Sequence, residues 1–249
     1  MTTLILALAA GAVVGLALGG LGGGGSMLAV PALVYLLGFS PALATTASLV
    51  IVAATSLTGL LAHARAGRVR WRTGALFAAA GLPAAAAAGA LSAHLPGALL
   101  TGAFAVLAAL AAWRMLVPPK AEQQNRSAAG PGRSTAAGAG LGAVTGLLGV
   151  GGGFLAVPAL VSALAFTMAE AVGTSLLVIT ANSLAALLPR LGATGSIDWA
   201  VAAPFTGAAI LGAWDGKRLA DKLSGRTLQR AFAIALLAVA ILMLVTTLS

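Results

Sequence analysis

Long apolar runs joined by short polar connections make up almost the whole chain. They fall at about 4–21, 27–38, 42–62, 74–93 and 96–116, and again at 137–149, 154–166, 171–189, 200–214 and 228–248. A membrane-spanning helix needs roughly 20 apolar residues, so most of these runs are predicted to be transmembrane helices. Two are too short. The runs beginning at Met27 and Phe154 would rise only about 18 Å as helix, against a hydrocarbon core of about 30 Å. Each follows a glycine cluster, Gly22-Gly23-Gly24-Gly25-Ser26 or Gly149-Val150-Gly151-Gly152-Gly153, and each is predicted to be a re-entrant or half-helix. One long hydrophilic stretch interrupts the pattern. It divides the chain into a first unit at 1–117, a polar linker at 118–136 and a second unit at 137–249.

The two units repeat one another. A shift of 127 positions lays Gly11, Gly15, Gly19, Gly22, Gly24 and Gly25 on Gly138, Gly142, Gly146, Gly149, Gly151 and Gly152. It also lays Leu28-Ala29-Val30-Pro31-Ala32-Leu33-Val34 on an identical run from Leu155 to Val161. Ser48-Leu49 falls on Ser175-Leu176, and Ser56-Leu57 on Ser183-Leu184. Biased composition yields scattered matches, not an aligned run of seven that contains a proline. Glycines recurring every fourth residue line one helix face and invite close helix packing.

Composition agrees with a lipid environment. Hydrophobic residues make up 60% of the chain and charged residues 8%, where a soluble domain carries about 25% charged residues. The net charge of +9 sits in connections between apolar runs, so it reads as an orientation signal and not as a nucleic-acid surface. Arg65, Arg68, Arg70 and Arg72 mark one connection as cytoplasmic; its counterpart around Arg190 and Asp198 is not basic. Lys217, Arg218, Lys222 and Arg226 mark another as cytoplasmic, and its counterpart around His94 bears no formal charge. With a basic linker and five runs per unit, the halves are expected in opposite orientations, with both termini outside. The start of the chain lacks the basic region of a cleaved signal peptide, so residues 4–21 are expected to be retained. There is no cysteine and there are two histidines, so thiol chemistry is excluded and neither a metal site nor a cofactor is expected.

The glycine breaks carry the candidate chemistry. Irregular backbone is tolerated at membrane depth only when covered by protein or water, so the breaks are expected to be buried and facing each other. A helix N-terminus presents unpaired N–H groups and about half a positive charge, and glycine lets a ligand approach the backbone. Gly24, Gly25 and Ser26 with Gly151, Gly152 and Gly153 would therefore bind an anion, the new helices starting at Ser26–Met27 and Gly153–Phe154. Thr46, Ser48, Thr174, Ser175 and Asn182 stand where they could complete the anion's hydrogen bonds. Each hydroxyl has a plain alternative, bonding to its own helix or gluing two helices together. Glu170, with no acidic equivalent in the first unit, either caps a helix or relays protons. The run Gly20-Leu21-Gly22-Gly23-Gly24-Gly25 satisfies a dinucleotide-binding pattern, but no strand precedes it and no acidic residue follows at the required distance.

GGLGGGGSMLAVPAL and GLLGVGGGFLAVPAL, followed by ATTASL and AVGTSL and then by GRVRW and GSIDW, resemble the sulfite exporter TauE/SafE family of anion permeases. The resemblance spans nearly the whole chain. It implies a prokaryotic inner-membrane secondary transporter of sulfite, sulfonates or related oxyanions. An anion channel of the same architecture and a membrane assembly protein without cargo remain the alternatives. An intramembrane enzyme lacks a nucleophile–base pair. Substrate, transport direction, coupling ion and oligomeric state are left open by the sequence.

Overall fold

The computed structural model describes residues 2–92, 97–116, 131–148, 155–188 and 197–248. Every regular element among them is helical. The elements are α1 (Thr2–Leu21), a 3₁₀ turn (Gly22–Gly25), α2 (Ser26–Pro31) with a π-helical turn (Ala32–Leu36), α3 (Pro41–Arg65), α4 (Trp71–Ser92), α5 (Gly97–Leu116), α6 (Pro131–Leu148), α7 (Ala156–Leu164), α8 (Met168–Leu187), α9 (Trp199–Lys222) and α10 (Gly225–Leu248). Among the described residues α1, α8 and the stretch Leu43–Arg65 of α3 are long and apolar enough to cross a membrane.

Their outward faces are as apolar as their inward ones. On α1, Ala7, Ala10, Gly11, Val14, Gly15 and Leu18 are buried, while Ile5, Leu8, Val13 and Leu16 on the other side are exposed. Leu188 and Leu211 are 68% and 70% exposed. So broad an apolar exterior belongs against lipid.

The helices pair by exchange between the halves. α1 lies along α9, α6 along α4, α3 crosses α8, and α5 packs on α10. Glycine makes the first two pairings close. A Cβ on Gly11, Gly15 or Gly19 would overlap the backbone of Phe205, Ala209 or Ala213, and one on Gly138 or Gly142 would overlap Phe77 or Gly81. Such contact brings Cα–H groups onto facing carbonyls, where van der Waals attraction and weak hydrogen bonds hold helices together in lipid. Phe77 and Phe205, both nearly wholly buried, anchor the two pairings.

The short helices end alike. Gly38 and Ala165 are both left-handed, at φ 72° and 56°. The Phe39 N–H donates to Leu33 O at 3.0 Å, and the Phe166 N–H to Leu160 O at 3.1 Å. This is a left-handed C-cap, in which the chain turns back and satisfies a terminal carbonyl. Ser40 then caps α3 and Thr167 caps α8.

Some boundaries differ from those the apolar runs predict. Helix α2 starts at Ser26 as the sequence predicts, and the glycines before it add a 3₁₀ turn, because a single left-handed glycine, Gly22, ends α1 and its neighbours wind directly onward. Helix α9 continues to Lys222 through what reads in sequence as a loop. Gly216 and Ala220 are buried, and Lys217 pairs with Asp221 one turn on, at 2.7 Å. Helix α6 opens at Pro131, inside the stretch read as linker, since proline at a helix start sacrifices no hydrogen bond. Pro31 cannot donate to residue 27, and the helix loosens after it into the π turn.

Candidate functional site

The first break is made by Gly22, which sits at φ +67°, a conformation that L-residues rarely adopt. It ends α1 and starts a new helical winding that continues to Leu36. The 3₁₀ turn packs against α7, α8 and α10, all from the other half. A Cβ on Gly22 would lie 2.5 Å from Ser175 Oγ and 3.2 Å from Val172 Cα. Glycine is therefore required twice at this position, once by the backbone angle and once by the neighbour from α8.

Of the residues expected to bind an anion, Gly24 and Gly25 lie in the 3₁₀ turn and Ser26 opens α2. Gly151, Gly152 and Gly153 lie outside the described residues. Ser175, fully buried, stands against Gly22 while its hydroxyl donates to Val172 O at 2.8 Å. Thr46 and Ser48 are buried in the early turns of α3, and Ser48 donates to Thr45 O at 2.8 Å. Thr174 faces elsewhere: its hydroxyl accepts the Arg70 N–H at 3.1 Å and secures the start of α4.

Asn182 lies deeper along α8, and its buried Oδ1 has no hydrogen-bond partner among the described residues. The crossing of α3 and α8 holds several further polar groups. Ser56 and Thr180 share a hydrogen bond of 2.9 Å across the halves, and Thr55 and Thr180 also donate to carbonyls of their own helices. A buried amide oxygen without a partner is costly, so its presence beside satisfied hydroxyls singles it out.

Charges collect at one end of the bundle. Arg68 and Lys217 both bind Asp221, and Arg70 donates to Glu170 at 2.9 Å. Glu170 also completes a capping box with Thr167 at the start of α8, which decides between its two sequence readings in favour of the cap. Changing Glu170 to Gln keeps a capping-box partner and loses the Arg70 ion pair, so it should cost less than about 1 kcal/mol of stability and leave transport intact. Thermal unfolding in detergent and flux in proteoliposomes would check this; abolished flux would restore the proton-relay reading. His63, which sequence places at a loop edge, lies in the last turn of α3 and is 1% exposed, with Nε2 3.0 Å from Gly19 O. Nothing local predicts that contact, because Gly19 is 44 residues away.

Two interleaved halves, an apolar exterior and a buried glycine break define a polytopic helical membrane protein. Its family follows from comparison: the model of the sulfite exporter TauE/SafE family matches residues 7–243, and the chain belongs to that family. It is 36% identical over 246 residues to a "Probable membrane transporter protein" of Xylella fastidiosa strain 9a5c, covering 96% of this chain and 94% of that protein. A protein of the same description from strain Temecula1 is 35% identical over the same shares. No solved structure matches the chain.

Proposed function

We propose that this membrane transporter is a secondary permease for small sulfur-containing or organic anions, such as sulfite or sulfonates, in a prokaryotic inner membrane. Its halves lie in opposite membrane orientations, with both termini outside and the Arg68–Asp221 end in the cytoplasm. The observation that carries the reading is the break at Gly22, buried against Ser175 of the other half. No arginine or lysine stands near the middle of a described helix. The positive field for an anion comes from the first turn of the new helix, Gly22–Gly25, and the second glycine cluster supplies the matching half of the site. A site made of dipoles rather than full charges suits an anion that must leave again. Asn182 and the polar groups of the α3–α8 crossing line the route beyond it.

Purified protein in proteoliposomes should transport radiolabelled sulfite or a short organosulfonate, with flux that saturates as concentration rises. Folded protein that moves none of these anions would overturn the proposal. Discrete single-channel currents would assign the architecture to a channel instead.

A further inference from the structure

The acidic groups of the described residues are all committed. Asp221 is held by Arg68 and Lys217, Asp215 by Arg218, and Glu170 by Arg70 and its cap, while Asp198 caps α9. His63 differs. It is buried near the end of α3, where Nε2 meets the Gly19 carbonyl and Nδ1 has no partner among the described residues. A carbonyl only accepts, so Nε2 carries the hydrogen and Nδ1 holds a bare lone pair. His63 forms part of the wall of a cavity of about 110 Å³ at the charged end of the bundle, with Arg68 and Asp221 also in the wall, although Nδ1 itself is buried. The α8 and α10 residues there, Ala169, Val172, Gly225 and Leu228, do not ionise. The charges acting on the ring are thus Arg68 and Lys217 against Asp221.

We infer that His63, beside the cavity at the cytoplasmic end, is the proton-binding residue of this transporter, taking a proton at Nδ1 and coupling it to the anion. The step adds one N–H bond and one positive charge to the ring, and breaks none. The Nε2–H bond to Gly19 persists and becomes charge-assisted, which strengthens it. Gly22 follows Gly19 by three residues, about 4.5 Å along the helix, so the new charge lies close to the break. The cost of burying an imidazolium between two cations falls when an anion occupies the break. Proton and anion then favour each other's binding by the same factor, and they travel together.

The coupling rests on the proposed anion site; the proton site itself does not. With two histidines in the chain, a His94→Gln background leaves His63 as the only imidazole for ¹⁵N NMR of the full protein in detergent. The expected spectrum shows the Nε2–H tautomer at high pH and protonation of Nδ1 on acidification. Sulfite should move that titration to higher pH. In proteoliposomes, flux should rise about tenfold with inward proton drive, a coupling of ordinary size, and His63→Gln should abolish that rise. An Nδ1–H tautomer, or a ring that never titrates, would overturn the proton site. Flux in His63→Gln with the full proton dependence of the wild type would overturn the coupling. A titrating His63 in a protein that moves no anion would sink the anion proposal and leave the proton site standing.

Discussion

Gly15→Leu and Gly142→Leu should each cost about 1–3 kcal/mol or more, and the two together should leave little folded protein. Both positions press a bare Cα onto facing backbone, Gly15 onto Ala209 and Gly142 onto Gly81. Neither site has a flexible side chain that could give way, so the helices must move apart. Separation of α1 from α9 also breaks the contacts of Gly212 with Ala12 and of Gly216 with Leu16. Because the two pairings are equivalent by exchange of the halves, the two variants should lose similar amounts of stability. Size-exclusion profiles and thermal melts in detergent would measure the loss. Gly207→Leu on α9 is the control: a Cβ there meets nothing within 4 Å, and the variant should fold normally.

Gly22→Val should fold and yet lose at least about tenfold in anion flux. A left-handed conformation costs an L-residue roughly 1–2 kcal/mol, and the β-branched side chain adds a collision with Ser175 and Val172. The cheapest relief is to shift the 3₁₀ turn, which displaces the proposed anion site while the glycine-packed pairs hold the bundle. Gly22→Ala should do less harm, and combining it with Ser175→Gly should recover part of the flux by removing the collision while the φ strain remains. Proteoliposome flux normalised to folded protein would measure each step. Full flux in Gly22→Val would show that the break has no part in transport.

The helical architecture was legible in the sequence because lipid imposes a strong rule: helices of a set length, apolar all round, with charge at the connections. Even the packing partners left a trace. Four-residue spacing of Gly11, Gly15 and Gly19 announces a close contact, although it does not say that α9 supplies the other surface. The left-handed turns at Gly38 and Ala165 were not legible as a pair, because alanine gives no sign of a positive φ. The start of α2 at Ser26 was legible, but the 3₁₀ turn before it was not: in a row of four glycines, nothing local marks Gly22 as the one that turns. Of the candidate hydroxyls, Ser175 sits at the break and Thr174 does not. They are adjacent in sequence, and a helix sends neighbours about 100° apart, so only the packing of α8 separates them. His63 was hidden because its partner is a backbone carbonyl from another helix, a contact that carries no residue-type signal.

Selenite is a heavier analogue of sulfite, and its selenium can be located by anomalous diffraction. Crystals of the protein grown with selenite should show a peak against the backbone of Gly22–Gly25, on the side closed by Ser175. The reading stands on a helix start, bent out of line by one glycine, that holds negative charge inside the bundle. A peak found only at the Arg68–Asp221 end, or none at all in protein that transports selenite, would contradict it.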